Sequence, residues 1–215
     1  MTLHTETVTP AMLSIASRLR TTLDPSWYVA GGTALALHIG HRASIDLDYF
    51  TNSAFDVEIM RVRLQNIFTD GKLSFDYEAK NTLWCTIDGV KVSFITRKNS
   101  CIESPQVFDQ FVLASVPDIT VMKLLAVCSR EEYKDYFDLA CISRETDIRS
   151  WIAWWNQVYG EQDVTSWLVA LGSVDRIPEI PLVVQDTYDA PPVVSTIAKV
   201  LVELTEYIQK TDAYA

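Results

Sequence analysis

Apolar and polar residues alternate along this chain in two rhythms. Over residues 9–23 (TPAMLSIASRLRTTL) apolar positions recur at helical spacing, and Asp24-Pro25 ends the run, which predicts an amphipathic helix. Residues 27–30 (WYVA) form a short apolar strand that Gly31-Gly32 breaks, and Thr33 is placed to cap the short helix ALALHIG. Residues 45–50 alternate with period two, setting Asp46 and Asp48 on one face and Ile45, Leu47 and Tyr49 on the other. Residues 55–68 return to helical spacing. Residues 72–79 alternate again, and the runs 83–87 and 90–96 flank Asp88-Gly89, a dipeptide that favours a tight hairpin.

Beyond about residue 115 only the helical rhythm remains. Ser115-Val116-Pro117-Asp118 reads as a capping box opening a helix to about Cys128, and Ser129-Arg130-Glu131-Glu132 as a second one opening a helix through about Ser143. Residues 148–159, with Trp151, Trp154 and Trp155, and residues 165–171 are further helices. The stretch RIPEIPLVVQDTYDAPP is a proline-punctuated loop, and residues 193–209 form a terminal helix. The predicted class is α+β: a small mixed β-sheet core with packed helices over residues 1–114, then a mostly helical region over 115–215.

Composition narrows the function classes. Hydrophobic residues make up 48% and charged residues 21% of 215 residues, as in an ordinary globular protein. The net charge is −10, and no basic run exceeds two residues, so a general nucleic-acid-binding stripe is absent and a polynucleotide would have to meet a local patch. Cys85, Cys101, Cys128 and Cys141 form no CxxC pair, and His4, His38 and His41 complete no zinc pattern; buried free thiols in a reducing cytosol are expected. The N-terminal MTLHTETVTP has neither a basic nor an apolar segment of a signal peptide, and no apolar run approaches a membrane span. A cytoplasmic protein with no membrane partner is expected.

Asp46 and Asp48 present two carboxylates side by side. Their repulsion would hold one protonated unless a divalent cation intervened. Mg²⁺ (or Mn²⁺) favours a couple of carboxylates completed by phosphate oxygens and water, and an Asp-x-Asp strand can bridge two such ions. Taken alone, Asp-x-Asp is as readily a solvated strand edge, and Gly-Gly a plain turn. Together they are more specific: Gly31-Gly32, at a strand-to-helix turn, frees backbone N–H groups for an anion and lets a phosphate approach the backbone.

The segment YVAGGTALALHIGHRASIDLDYF (residues 28–50), with His41-Arg42 and Ser44 ahead of the aspartates, resembles the signature of the AbiEii/AbiGii toxin family of nucleotidyltransferase-like proteins, within the polymerase-beta-type superfamily. The block SVPDITVMKLLAVCSREEYKDYFDLACI (residues 115–142) resembles that family's second block. The resemblance covers about the first two-thirds of the chain. It implies a nucleotidyltransferase fold, with Asp46 and Asp48 as metal ligands, Gly31, Gly32, Thr33 and Arg42 around the phosphates, and an NTP as substrate. The acceptor would be RNA, tRNA-like in particular, or a protein side chain. It also implies a toxin's role in a toxin–antitoxin or phage-defence system, hence a cognate antitoxin.

In the second block, Arg130, Lys134 and Asp138 are spaced as i,i+4 neighbours, a polar ladder on an otherwise apolar element. Lys123 could offset triphosphate charge; Lys134 or Arg130 could stabilise pyrophosphate or touch the acceptor; Asp138 could orient them. Asp135 stands with these. The competing reading is a surface salt-bridge face of little energetic weight. His38 reads as packing, His41 as a partner of phosphate or of Asp46, and the tryptophans as the buried stripe of a helix rather than a base-stacking group.

One departure stands out. Polymerase-beta-type enzymes place a third carboxylate on a later strand, and residues 90–94 (VKVSF) offer Ser93 instead. Serine is neither a base nor a strong Mg²⁺ ligand. Asp76, Glu78 and Asp88 are the nearby candidates to replace it. Without a replacement, either two carboxylates suffice for turnover or the chain is a binding or regulatory module that keeps the fold.

Overall fold

The structure is a computed structural model; it describes residues 3–160 and 164–212, and Met1 and Thr2 of the N-terminal stretch lie outside these. The described residues divide into two compact units, 1–115 and 116–215.

The first unit is built on a seven-stranded mixed sheet of order β3-β4-β5-β2-β1-β7-β6. Its strands are β1 (Tyr28–Val29), β2 (Asp46–Thr51), β3 (Leu73–Ala79), β4 (Thr82–Ile87), β5 (Val90–Thr96), β6 (Gln106–Phe108) and β7 (Phe111–Leu113). Helices α1 (Pro10–Arg20), α2 (Gly31–Ile39) and α3 (Val57–Ile67) complete it. In α1, Thr9 accepts a hydrogen bond from the Met12 N–H and Pro10 follows it, while Met12, Ile15, Ala16 and Leu19 line the buried stripe. The Asp88-Gly89 turn has positive φ at both residues, the geometry that matches strand twist in a two-residue hairpin.

Alternation decides what each sheet face does. Leu47, Tyr49, Leu83, Cys85, Ile87, Val92 and Phe94 are buried on one face, where Tyr49 stacks on Phe94 at 5.5 Å between ring centroids. Residues between them point to the opposite face. In the first row of that face Asp46 pairs with Lys91 and Lys91 with Thr86; in the second, Asp48 pairs with Ser93, Ser93 with Trp84 and Trp84 with Tyr77.

The sheet departs from expectation in two places. The hairpin of β6 and β7 was not foreseen: three-residue strands are too short to display a period, and its turn, Asp109-Gln110, lacks glycine. Thr33 does not cap α2. Ala30 is the N-cap, without a side-chain bond, and Thr33 lies inside the first turn.

The second unit is helical: α4 (Val116–Ser129), α5 (Tyr133–Glu145), α6 (Ser150–Tyr159), α7 (Thr165–Leu171) and α8 (Val193–Asp212). Trp151 and Trp155 are buried on α6 and Trp154 is half-buried, so the stripe reading holds for two of the three, and Trp151 Nε1 donates to Thr146 Oγ1 at 3.0 Å. Ser129 closes α4 instead of opening α5, whose N-cap is Glu132 without a side-chain bond. Arg130 therefore lies between the two helices, and the ladder Arg130–Lys134–Asp138 does not form on one helix. Of the four cysteines, all free, Cys85 and Cys141 are buried, Cys101 is half-buried and Cys128 is exposed, so burial holds for only two of the expected four. Among the described residues no helix is long and apolar enough to cross a membrane.

Candidate functional site

In the first unit the loop before β2 and the start of α2 converge on the two aspartates. Thr33 Oγ1 has a single proton and donates it to the Asp46 backbone carbonyl, so the Ser44 hydroxyl, 2.7 Å away, is the donor to Thr33. This pins the first turn of α2 to the strand that carries the carboxylates. The Ala30 N–H donates to the Asp48 carbonyl at 3.1 Å, extending the β1–β2 ladder to the point where α2 begins. Thr33 is thus a positioning residue for the turn, and Ser44 supports it.

Gly31 and Gly32 are the first two residues of α2. Gly31 has φ +70°, and a Cβ there would stand 3.6 Å from Asp48 Oδ2. Helix-starting N–H groups have no intrahelical acceptor, and the helix dipole adds positive potential. Arg42 adds a full charge behind them: a Cβ on Gly32 would meet its guanidinium at 2.6 Å, and the side chain is buried, with Nη1 donating to the Ala43 carbonyl at 3.1 Å. A buried cation at the positive end of a helix favours an anion there. His41 is fully buried, which excludes direct phosphate contact in this conformation. His38 packs as expected: Nε2 donates to the Ala114 carbonyl at 2.8 Å, and burial lowers its pKa against the raising effect of that bond.

Asp48 is engaged on its other side. Ser93 Oγ donates to Asp48 Oδ1 at 2.6 Å, across the parallel β2–β5 pair. The residue at the third-carboxylate position therefore acts as a donor to a carboxylate. None of the candidate substitutes reaches it. Asp76, on β3, accepts from Thr86 and Ser74; Glu78 pairs with Arg61 of α3; Asp88 sits in the β4–β5 turn and accepts from the Lys72 N–H. Among the described residues no three carboxylate, histidine or cysteine side chains gather as a metal cage. Two carboxylates on one sheet face beside the N-terminus of a helix are a donor set that fits a Mg²⁺ ion sharing its shell with phosphates.

In the second unit a buried ionic cluster joins α4 to α5. Lys123 Nζ lies 2.7 Å from Asp135 Oδ1 and 2.6 Å from Asp138 Oδ2, and all three side chains are at least nine-tenths buried. Arg130 grips Asp135 from the interhelical connection, through Nε to Oδ2 at 2.8 Å and Nη2 to Oδ1 at 3.2 Å. Burial alone would pull the Lys123 pKa down; attraction from Asp138 and Asp135 outweighs it and holds the ammonium above the usual lysine value. Two cations balance two carboxylates. Lys134 stands apart, half-exposed and paired with Glu132 at 2.8 Å. The structure thus brings Lys123, Arg130, Asp135 and Asp138 together and leaves Lys134 out. The surface salt-bridge reading fails for this cluster, since its carboxylates are fully buried.

Trp84 and Tyr77 share the sheet row of Asp48 and Ser93. The sequence signal for Trp84 is a large aromatic at the polar phase of an alternating strand, in LWCTI.

Residues 15–155 match the family described as nucleotidyl transferase AbiEii toxin, type IV TA system. An uncharacterised protein of Aquifex aeolicus is 32% identical over 123 residues, a match spanning 55% of this chain and 58% of that protein's length. JHP933 from Helicobacter pylori has a similar fold, with TM-score 0.51 and 16% identity over 95% of this chain and 94% of that one. So does a candidate nucleotidyltransferase from H. pylori, with TM-score 0.55 and 16% identity over 97% and 96%.

Proposed function

The chain belongs to the AbiEii nucleotidyl transferase toxin family, and we propose that it transfers a nucleoside monophosphate from an NTP to a hydroxyl of RNA (tRNA-like) or of a protein. The observation that carries this reading is the approach of the α2 N-terminus to Asp48: the Gly31 backbone lies beside one oxygen of Asp48, while Asp46 shares its sheet face.

In this reading the β- and γ-phosphates lie on the N–H groups of Gly31 and Gly32, with Arg42 behind them and Thr33 fixing the turn. The α-phosphorus sits at Asp46 and Asp48. The acceptor oxygen forms a bond to that phosphorus as the bond to the bridging oxygen of the leaving pyrophosphate breaks, and the hydroxyl proton is released to water. Mg²⁺ or Mn²⁺ bound with the NTP at Asp46 and Asp48 would neutralise the crowded negative charge. Lys123, Lys134 and Asp138, with Arg130, are assigned by family resemblance to the charge balance of this reaction. The buried pairing of Lys123 with Asp138 supports a positioning role for these two within the helical unit, and half-exposed Lys134 would exchange its partner Glu132 for a polyanion. The biological role would be that of a growth-inhibiting toxin in a toxin–antitoxin or phage-defence system, held in check by a cognate antitoxin in the cytoplasm.

A second reading rests on Ser93: a nucleotide-binding module that retains the fold with impaired turnover. One experiment separates the two. Purified protein is incubated with Mg²⁺, each α-labelled NTP in turn, and total cellular RNA plus protein extract, beside the Asp46→Ala/Asp48→Ala double variant. Label moved to one macromolecule by the wild type alone supports transfer. Nucleotide binding without transfer supports the module. Absence of both nucleotide binding and transfer removes Asp46 and Asp48 from consideration as a site.

A further inference from the structure

Asp48, Ser93, Trp84 and Tyr77 form one row across β2, β5, β4 and β3. The last two are half-exposed, at 47% and 49%, with ring centroids 4.8 Å apart and planes inclined by 43°. A continuous β3–β4 register would set Asp76 opposite Trp84. The irregularity between Phe75 and Tyr77 skips one residue and brings Tyr77 there instead. Bulges of this kind re-aim side chains, and this one pairs two aromatics on the polar face of a sheet, where burial gives no reason for them.

The helix end at Gly31-Gly32 follows β1, on one flank of Asp48, while Ser93 and the aromatic pair lie on the other flank. In an in-line displacement the entering and leaving oxygens stand on opposite sides of the phosphorus. Pyrophosphate leaving toward the glycine turn therefore places the entering hydroxyl on the Ser93 side. Trp84 is two strand spacings from Asp48, roughly 10 Å, a distance that one nucleotide bridges.

We propose that Trp84 and Tyr77 form the acceptor subsite, stacking a base of a single-stranded RNA whose hydroxyl is presented at Asp48. This rests on the transfer reading above for its orientation. Charge favours stacking as the mode of capture. With a net charge of −10 and no long basic run, the chain is poorly suited to tracking phosphates, whereas aromatic stacking needs no net positive charge. Lys91, exposed in the adjacent row opposite Asp46, supplies one local cation for the acceptor backbone.

The test is binding of a short fluorophore-labelled single-stranded oligoribonucleotide, together with label transfer to total tRNA, in wild type, Trp84→Ala, Tyr77→Ala and Trp84→Phe. Trp84→Ala is expected to weaken oligoribonucleotide binding by about 5- to 150-fold and raise the KM for tRNA, while kcat and Mg–NTP binding stay near wild type. Trp84→Phe should recover most of the loss, and affinity should fall only shallowly with salt. Unchanged RNA affinity in both alanine variants overturns the subsite, as does a selective loss of NTP binding, which would put the incoming base on the aromatic pair. Transfer to a protein, with no RNA bound by the wild type, overturns it too. Should the wild type transfer nothing, RNA affinity lost in Trp84→Ala and regained in Trp84→Phe would uphold the subsite while the transfer reading falls.

Discussion

Ser93 Oγ donates to Asp48 Oδ1 at 2.6 Å, joining two strands whose bonded residues are 45 positions apart in the chain. A hydroxyl-to-carboxylate bond contributes about 1.5–3 kcal/mol. Ser93→Ala should lower label transfer about 10-fold or more, with the melting temperature lowered by several degrees. Ser93→Asp would set a third carboxylate against Asp48 and is expected to reduce transfer as well. Turnover rising above wild type in Ser93→Asp would instead identify the native serine as the cause of an impaired site.

The two glycines should respond differently to alanine. Gly31→Ala forces a side chain into φ +70°, a left-handed conformation that costs about 1–2 kcal/mol, and urea denaturation should show a loss of that size. Gly32→Ala meets the Arg42 guanidinium at 2.6 Å, so its larger effect should fall on nucleotide affinity as Arg42 is displaced. Equal stability and affinity changes in the two variants would contradict the separate roles given to them.

Lys123→Ala takes the Lys123 ammonium from buried Asp135 and Asp138. Breaking a buried pair in this way costs about 3–5 kcal/mol, to be read from chemical denaturation. Lys123 has a raised pKa in the folded protein. Its contribution is therefore complete below the unfolded lysine value of about 10.4 and is lost only as pH rises through the higher folded value. Between pH 7 and 9 the denaturation midpoint difference between wild type and Lys123→Ala should be flat. A difference that varied across that window would place the lysine's titration lower than the cluster requires.

His38 titrates in the opposite sense. Its pKa is lowered by burial, so the unfolded chain takes up a proton at about 6.5 while the folded one resists. Stability present above that pH should decline as pH falls through 6.5 toward the folded value. In His38→Gln this part of the decline is removed, and melting curves between pH 7.5 and 5.5 should be shallower than for wild type. Parallel curves would mean that His38 is as easily protonated in the fold as outside it.

Much of this was legible in the sequence because the sheet carries a clean period of two. That period alone put Asp46 and Asp48 on one face, and the Asp88-Gly89 turn announced its hairpin. Pairing order was not legible: nothing local says that β2 lies parallel to β5, so the contact between Ser93 and Asp48 could not be foreseen. A one-residue irregularity in β3 likewise leaves no mark on composition, although it decides which side chain faces Trp84. The ladder Arg130–Lys134–Asp138 assumed one continuous helix, whereas the chain breaks between Ser129 and Tyr133 and buries Asp138 against Lys123 while Lys134 stays half-exposed.

That cluster has a consequence for how the chain can diverge. Lys123, Arg130, Asp135 and Asp138 balance one another in charge, and three of them are buried. Replacing the buried core of this group by apolar residues could leave a fold at least as stable. The order of loss matters: removing Lys123 first leaves two buried carboxylates to half-exposed Arg130, at a cost comparable to much of a domain's stability. Removing Asp138 first leaves Lys123 paired with Asp135, so drift in this lineage should give up a carboxylate before it gives up the lysine.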